Sequence, residues 1–141
     1  MRLSFSNVLV FLAILISLAT FFGQNQLTFY LTFLKPEISN GFLSFIPIEK
    51  TYLEGFEFWR LLSPIFLHFS VAHLAFNSLW IYILGTRIED IEGYKKLIFL
   101  ILFSSILSNF AESAVSGAII FGGLSGCVYA LLGFCYIREF I

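Results

Sequence analysis

Residues 63–85 read SPIFLHFSVAHLAFNSLWIYILG. From Pro64 to Leu84 there is no Asp, Glu, Lys or Arg, and about 20 such residues suffice to cross a bilayer as a helix. Ser63 is a good cap for free N–H groups, and Pro64 at the first helical position gives up no hydrogen bond. Gly85 is placed to stop the helix. The expectation is a spanning helix over about 64–84. The rest of the chain has the same character. Of 141 residues, 59% are hydrophobic, 19% aromatic and only 12% charged, against about 25% charged in a soluble domain. That argues against a soluble domain and equally against a disordered chain. The net charge of −1, without a basic block, argues against nucleic acid as a partner. The composition points to an integral, all-α membrane protein.

Upstream, an apolar run covers about 8–22. It competes with a signal peptide, since Ser17-Leu18-Ala19 resembles a small-x-small cleavage site; continued hydrophobicity downstream favours a retained first helix. Residues 23–59 contain no clean span. Pro36 and Pro47 interrupt them and Glu37, Glu49, Lys50, Glu54 and Glu57 are scattered through them, yet Phe, Leu, Ile and Tyr abound. This is read as an irregular segment at the bilayer surface, its non-helical backbone covered by protein.

Downstream, Arg87, Glu89, Asp90, Glu92, Lys95 and Lys96 suggest a short aqueous loop. A third helix is expected over about 97–114, with Ser104, Ser105, Ser108 and Asn109 suited to close interhelical packing and hydrogen bonding. After a loop to Gly123, a fourth helix covers about 125–141. The reading is one domain over 1–141 with about four spans. Cys127 and Cys135 would lie roughly 12 Å apart along that last helix, too far for a disulfide, and are read as packing residues. With four spans, Arg2, Arg87, Lys95, Lys96 and Arg138 fall on one side and Lys35, Lys50 and Arg60 on the other. The positive-inside rule puts both termini in the cytoplasm.

Polar groups inside spans are functional candidates. His73 and Asn77 are four apart and share a helical face, while His68 sits roughly 140° from His73 at 3.6 residues per turn. Either these residues hold helices together or they act in chemistry. No third ligand suggests a metal, and no cofactor is implied. The second feature is Phe121-Gly122-Gly123-Leu124-Ser125-Gly126. Ser125 caps the fourth helix on one reading, with Gly122 and Gly126 as a small-xxx-small contact. On the other it is a nucleophile, uncrowded between glycines and placed at the positive end of a helix. A serine needs help to attack, and oxyanion donors are the largest usual contribution. His73 and Asn77 lie at a depth where they can supply them.

These pieces together resemble the rhomboid intramembrane serine proteases. They are Trp59-Arg60, His68 to His73 and Asn77, then Gly85, Glu89 and Gly93, and finally Gly122-Gly123-Leu124-Ser125-Gly126 with Tyr129, Ala130 and Gly133. Order and separations fit over about 59–141. The resemblance implies Ser125 as nucleophile on a peptide bond of a transmembrane substrate. His73, Asn77 and the Ser125 N–H would form the oxyanion hole, and Tyr129 would line the site beside Gly123 and Gly126. Trp59-Arg60 would close the membrane-surface loop; Glu89 and His68 would be structural. It implies an integral protein of the plasma or inner membrane, to which the positive-inside rule adds the cytoplasmic N-terminus. The family's core has six helices and takes its general base from a histidine in the sixth. The histidines here are His68 and His73, and His73 as base runs against the family's use of it. The expectation is therefore a piece of a longer chain, inactive alone. The alternative is a non-proteolytic relative that binds transmembrane partners.

Overall fold

The computed structural model describes residues 4–117 and 119–139; Arg2 and the 140–141 end of the expected fourth helix lie outside them. Helix α1 (Phe5–Ala19) begins at Ser4, whose hydroxyl accepts the Asn7 N–H. The expected run of about 8–22 is thus shifted three residues back, because Ser4 supplies a cap and Phe21, Phe22 and Gly23 turn to positive φ. Its buried stripe is Ser6, Leu9, Ala13 and Ser17, the i+3/i+4 spacing of one face.

Residues 23–62 are irregular, as composition suggested, but not all helix or coil. A short helix α2 (Leu27–Leu31) leads to a hairpin of β1 (Pro36–Ser39) and β2 (Phe42–Phe45), antiparallel with Pro36 opposite Phe45. Asn40 and Gly41 turn it, both at positive φ, as a two-residue hairpin loop requires. A π-helical turn at Lys50–Glu54 and a 3₁₀ turn at Phe58–Leu61 follow. The all-α expectation therefore needs correcting by one hairpin. Arg60 ties this segment together from a buried position. Its Nε donates to Glu57 Oε2 at 2.6 Å, and its Nη1 to the Phe29 and Thr32 carbonyls at 2.8 and 2.9 Å. Trp59 Nε1 donates to Tyr30 O at 3.0 Å. Lys35 Nζ, 2.7 Å from Glu57 Oε1, completes the cluster.

The expected helix over 64–84 is corrected at both ends. Ser63–Phe66 form a 3₁₀ turn, and Leu67 is extended. Ser63 Oγ does not cap; it donates to Leu31 O at 3.0 Å. Helix α3 (Val71–Glu92) starts behind Ser70, whose hydroxyl accepts the His73 N–H at 3.2 Å. Gly85 does not stop it. It is buried where a Cβ would come within 2.6 Å of Ser6 Oγ, so it lets α1 and α3 approach closely. The helix ends at Gly93, whose φ of 86° suits a residue without Cβ. Consequently most of the expected aqueous loop is helix. Buried Leu74, Asn77, Ile81, Leu84 and Ile88 again keep i+3/i+4 spacing.

Helix α4 (Tyr94–Ser116) and helix α5 (Ser125–Glu139) complete the bundle. Helix α3 is its centre, packing against α1, α4 and α5, with α4 also on α5. The shared core includes Leu9, Ile81, Leu97, Ile101, Leu124, Cys127 and Leu131. The polar residues of α4 face inward: Ser105 Oγ lies 3.3 Å from Cys127 Sγ, and Asn109 Nδ2 donates to Leu61 O at 2.9 Å. Among the described residues, α4 is the helix long and apolar enough to cross a membrane; α1 and α5 are shorter apolar helices.

Glu89 sits where α3 meets the start of α1. Its carboxylate accepts the N–H groups of Phe5 and Ser6 at 3.0 and 3.3 Å, and the Ser6 hydroxyl at 3.3 Å. The first N–H groups of a helix have no partner within it, and here a neighbouring helix supplies one.

Candidate active site

Two helix beginnings meet. The Ser70 cap fixes the first turn of α3, so His73 and Asn77 project from one face toward α5. The loop before α5 lies on the 3₁₀ turn: Gly123 N donates to Pro64 O at 3.0 Å. Gly123 has φ +119°, and a Cβ there would stand 2.6 Å from His73 Cε1. Only glycine allows the backbone this shape with an imidazole this close. Ser125 then opens α5 directly beside the ring.

His73 Nε2 lies 3.1 Å from Ser125 Oγ, and Asn77 Nδ2 donates to the same oxygen at 3.5 Å. The first N–H groups of a helix have no partner within it and carry positive potential, and Ser125 stands at that end of α5. A cavity of about 330 Å³ opens on this group, lined by His73, Asn77, Trp80, Ser125, Tyr129 and Leu132. A second, of about 360 Å³, reaches Ser125 from the α4 side between Ser108, Glu112, Gly123 and Gly126. An accessible hydroxyl beside an amide donor and an imidazole nitrogen, at a helix N-terminus, can serve acyl transfer, in which negative charge develops on the attacked carbonyl oxygen.

Ser125, His73, Asn77, Gly123, Gly126 and Tyr129 are thus together. Tyr129 borders both cavities and is exposed. Gly126 faces Ser108, whose hydroxyl and Cβ occupy the place a side chain would need. Trp59, Arg60 and Glu89 stand apart, in the surface segment and at the far end of α3.

His68 is placed differently from the sequence expectation. It precedes the Ser70 cap, so no helical angle relates it to His73. The extended backbone at Leu67 turns it inward, fully buried. Its Nε2 is 3.2 Å from Asn77 Nδ2, and its Nδ1 is 3.3 Å from both Phe66 O and Ser17 Oγ. Ser17, Pro64 and Phe66 are supporting residues that the sequence reading missed. The only signal for Ser17 was a polar side chain on the small-residue stripe of α1.

Comparison with known proteins identifies the family. The family model described as Rhomboid domain matches residues 55–140. Over 81 residues the chain is 48% identical to a protein of Serratia proteamaculans named Rhomboid protease GlpG. Over 83 residues it is 46% identical to the protein of that name from Salmonella newport. The alignments cover 57% and 59% of this chain but 29% and 30% of those relatives, so the chain spans less than a third of their length. With a family match over more than half its residues, and that match enclosing Ser125, His73 and Asn77, the chain belongs to the rhomboid family.

Proposed function

We propose that this chain carries the nucleophile and oxyanion hole of an intramembrane serine endopeptidase. The single observation behind this is the convergence of His73 and Asn77 on Ser125 Oγ. Ser125 Oγ attacks the scissile carbonyl of a transmembrane substrate. His73, Asn77 and the Ser125 N–H hold the resulting oxyanion, and the leaving amine departs from an acyl-enzyme that water hydrolyses. Tyr129 borders the bound segment. The attack needs a base to take the Ser125 proton. On this reading His73 belongs to the oxyanion hole and His68 contacts Asn77, so neither histidine of the 141 residues is assigned that role. The protein sits in the bilayer as a multi-pass helical protein. Arg87 and Arg138 line one cavity and Lys96 covers Phe134; that basic end of the bundle is cytoplasmic by the positive-inside rule. The site lies at the opposite end, so cleavage falls near the outer face.

The engagement of both histidines also favours a second reading, a binder of transmembrane partners without turnover. A serine-directed fluorophosphonate separates the two in the full-length protein in its native membrane. Labelling that Ser125→Ala abolishes supports the protease. Labelling that survives this substitution rejects Ser125 as nucleophile, and a wild-type protein that never labels leaves the binder.

A further inference from the structure

We infer that His68 is a positioning residue that sets which end of the Asn77 amide faces Ser125. The inference deepens the protease reading and rests on it for its catalytic meaning, but the geometry is local and can be tested alone.

The argument is one of donors and acceptors. The Phe66 carbonyl can only accept, so the imidazole nitrogen 3.3 Å from it, His68 Nδ1, must carry the proton. Ser17 Oγ, also 3.3 Å from Nδ1, already donates its own hydrogen to Ala13 O at 2.6 Å and is free only to accept. Both neighbours therefore demand the same tautomer. A neutral ring protonated at Nδ1 has an acceptor at Nε2. That acceptor is 3.2 Å from the Asn77 side chain and requires an N–H there, not the amide oxygen. An amide has two N–H bonds on one nitrogen. With one directed at His68, the other is directed at Ser125 Oγ, 3.5 Å away. Turned round, Asn77 would set its oxygen against the His68 acceptor and present oxygen to a forming oxyanion, which would repel it.

Burial makes the choice firm. His68 is fully buried and Asn77 is 1% exposed, so no bulk water can substitute for a lost partner. A chain of defined polarity thus runs from α1 to the nucleophile: the His68 Nδ1–H donates to Ser17, Asn77 donates to His68 Nε2, and Asn77 donates to Ser125. His68 touches no reacting atom and acts through Asn77.

The test uses ¹⁵N NMR of the 141-residue protein in lipid bicelles. The expected result is a neutral His68 protonated at Nδ1, with scalar coupling across the hydrogen bond from Asn77 Nδ2 to His68 Nε2. A proton found on His68 Nε2 overturns the inference, whatever the protein's activity. A second arm follows fluorophosphonate labelling of the full-length protein in its native membrane. His68→Gln, whose amide oxygen accepts from Asn77, should retain most of the labelling rate. His68→Leu should lose about tenfold or more, short of the loss from deleting a donor outright. Equal rates for the Leu, Gln and wild-type proteins would overturn it. If wild type does not label while the coupling is present, the protease reading fails and the assignment of Asn77's orientation stands.

Discussion

The imidazole of His73 and the hydroxyl of Ser125, 52 positions apart in the chain, are 3.1 Å apart in the fold. His73 is half-buried and Asn77 wholly buried, so the two side chains should respond differently to deletion. Both His73→Ala and Asn77→Ala are expected to slow substrate cleavage by roughly 10²-fold or more. His73→Ala should leave thermal stability nearly unchanged. Asn77→Ala also strands His68 Nε2 and should cost about 1–3 kcal/mol. Steady-state kinetics and thermal unfolding of each variant measure both effects; a negligible rate change in both would assign the pair to structure alone.

Gly123→Ala should damage the site through His73. The new methyl meets the imidazole at 2.6 Å on a backbone at φ +119°, a strain and overpacking cost of about 1–3 kcal/mol. Reactivity of Ser125 should fall with it. Gly133 on α5 offers a contrast, since a Cβ there meets nothing within 4 Å. Gly133→Ala in the 141-residue protein should gain up to about 1 kcal/mol from helix propensity. Opposite signs in paired melting curves are the expected outcome.

Glu89 anchors α1 to α3 through three hydrogen bonds. Glu89→Ala leaves the Phe5 and Ser6 N–H groups without that acceptor and is expected to cost about 1–3 kcal/mol. Hydrogen exchange at Phe5 and Ser6 should accelerate first. Ser6→Ala combined with Glu89→Ala should be less than additive, since the two share a bond. Strict additivity would mean the carboxylate does not hold Ser6.

Glu57 makes the surface segment sensitive to acid. Burial pushes its carboxyl up, but hydrogen bonds and charge from Lys35 and Arg60 outweigh this and hold it below the ordinary carboxylate range. A group with a depressed folded pKa stabilises the fold fully above its unfolded value. That stability is lost as pH falls through the folded one. Thermal stability should therefore drop on acidification below the ordinary carboxylate range, and Glu57→Gln should flatten that limb while lowering stability at neutral pH. An unchanged acid limb in the variant would remove Glu57 as its source.

Much of the site was legible because its chemistry lies in short motifs. The i, i+4 pair of His73 and Asn77 and the glycines around Ser125 announce themselves locally, and α5 begins at Ser125 as read. The boundaries of α3 were not legible, for specific reasons. Ser63-Pro64 is as good a start for a 3₁₀ turn as for a long helix. What ends that turn is tertiary, since Pro64 O is drawn to Gly123 N. Ser70, the true cap, lacks a Glu or Gln three residues on and so gives a weak signal. Gly85 reads as a stop until Ser6 is seen against it, and a charged run such as 86–92 suits an exposed helix as well as a loop. The Asn40–Gly41 turn carried a hairpin signal, masked by the mixed composition around it. The resemblance implied a structural His68, but its partners Ser17 and the Phe66 carbonyl could not be seen, because they come from α1 and from the backbone.

Those partners have a consequence for inheritance. The segment matched by the family begins at residue 55, yet Ser17 beneath His68, Ser6 against Gly85, and the α1 terminus held by Glu89 all lie before it. The contacts that support the site therefore extend beyond the matched segment. A chimaera that grafts residues 55–140 behind a foreign leading helix would keep every signature residue. It would lose Ser17 beneath His68, and with it part of the floor on which Asn77 rests.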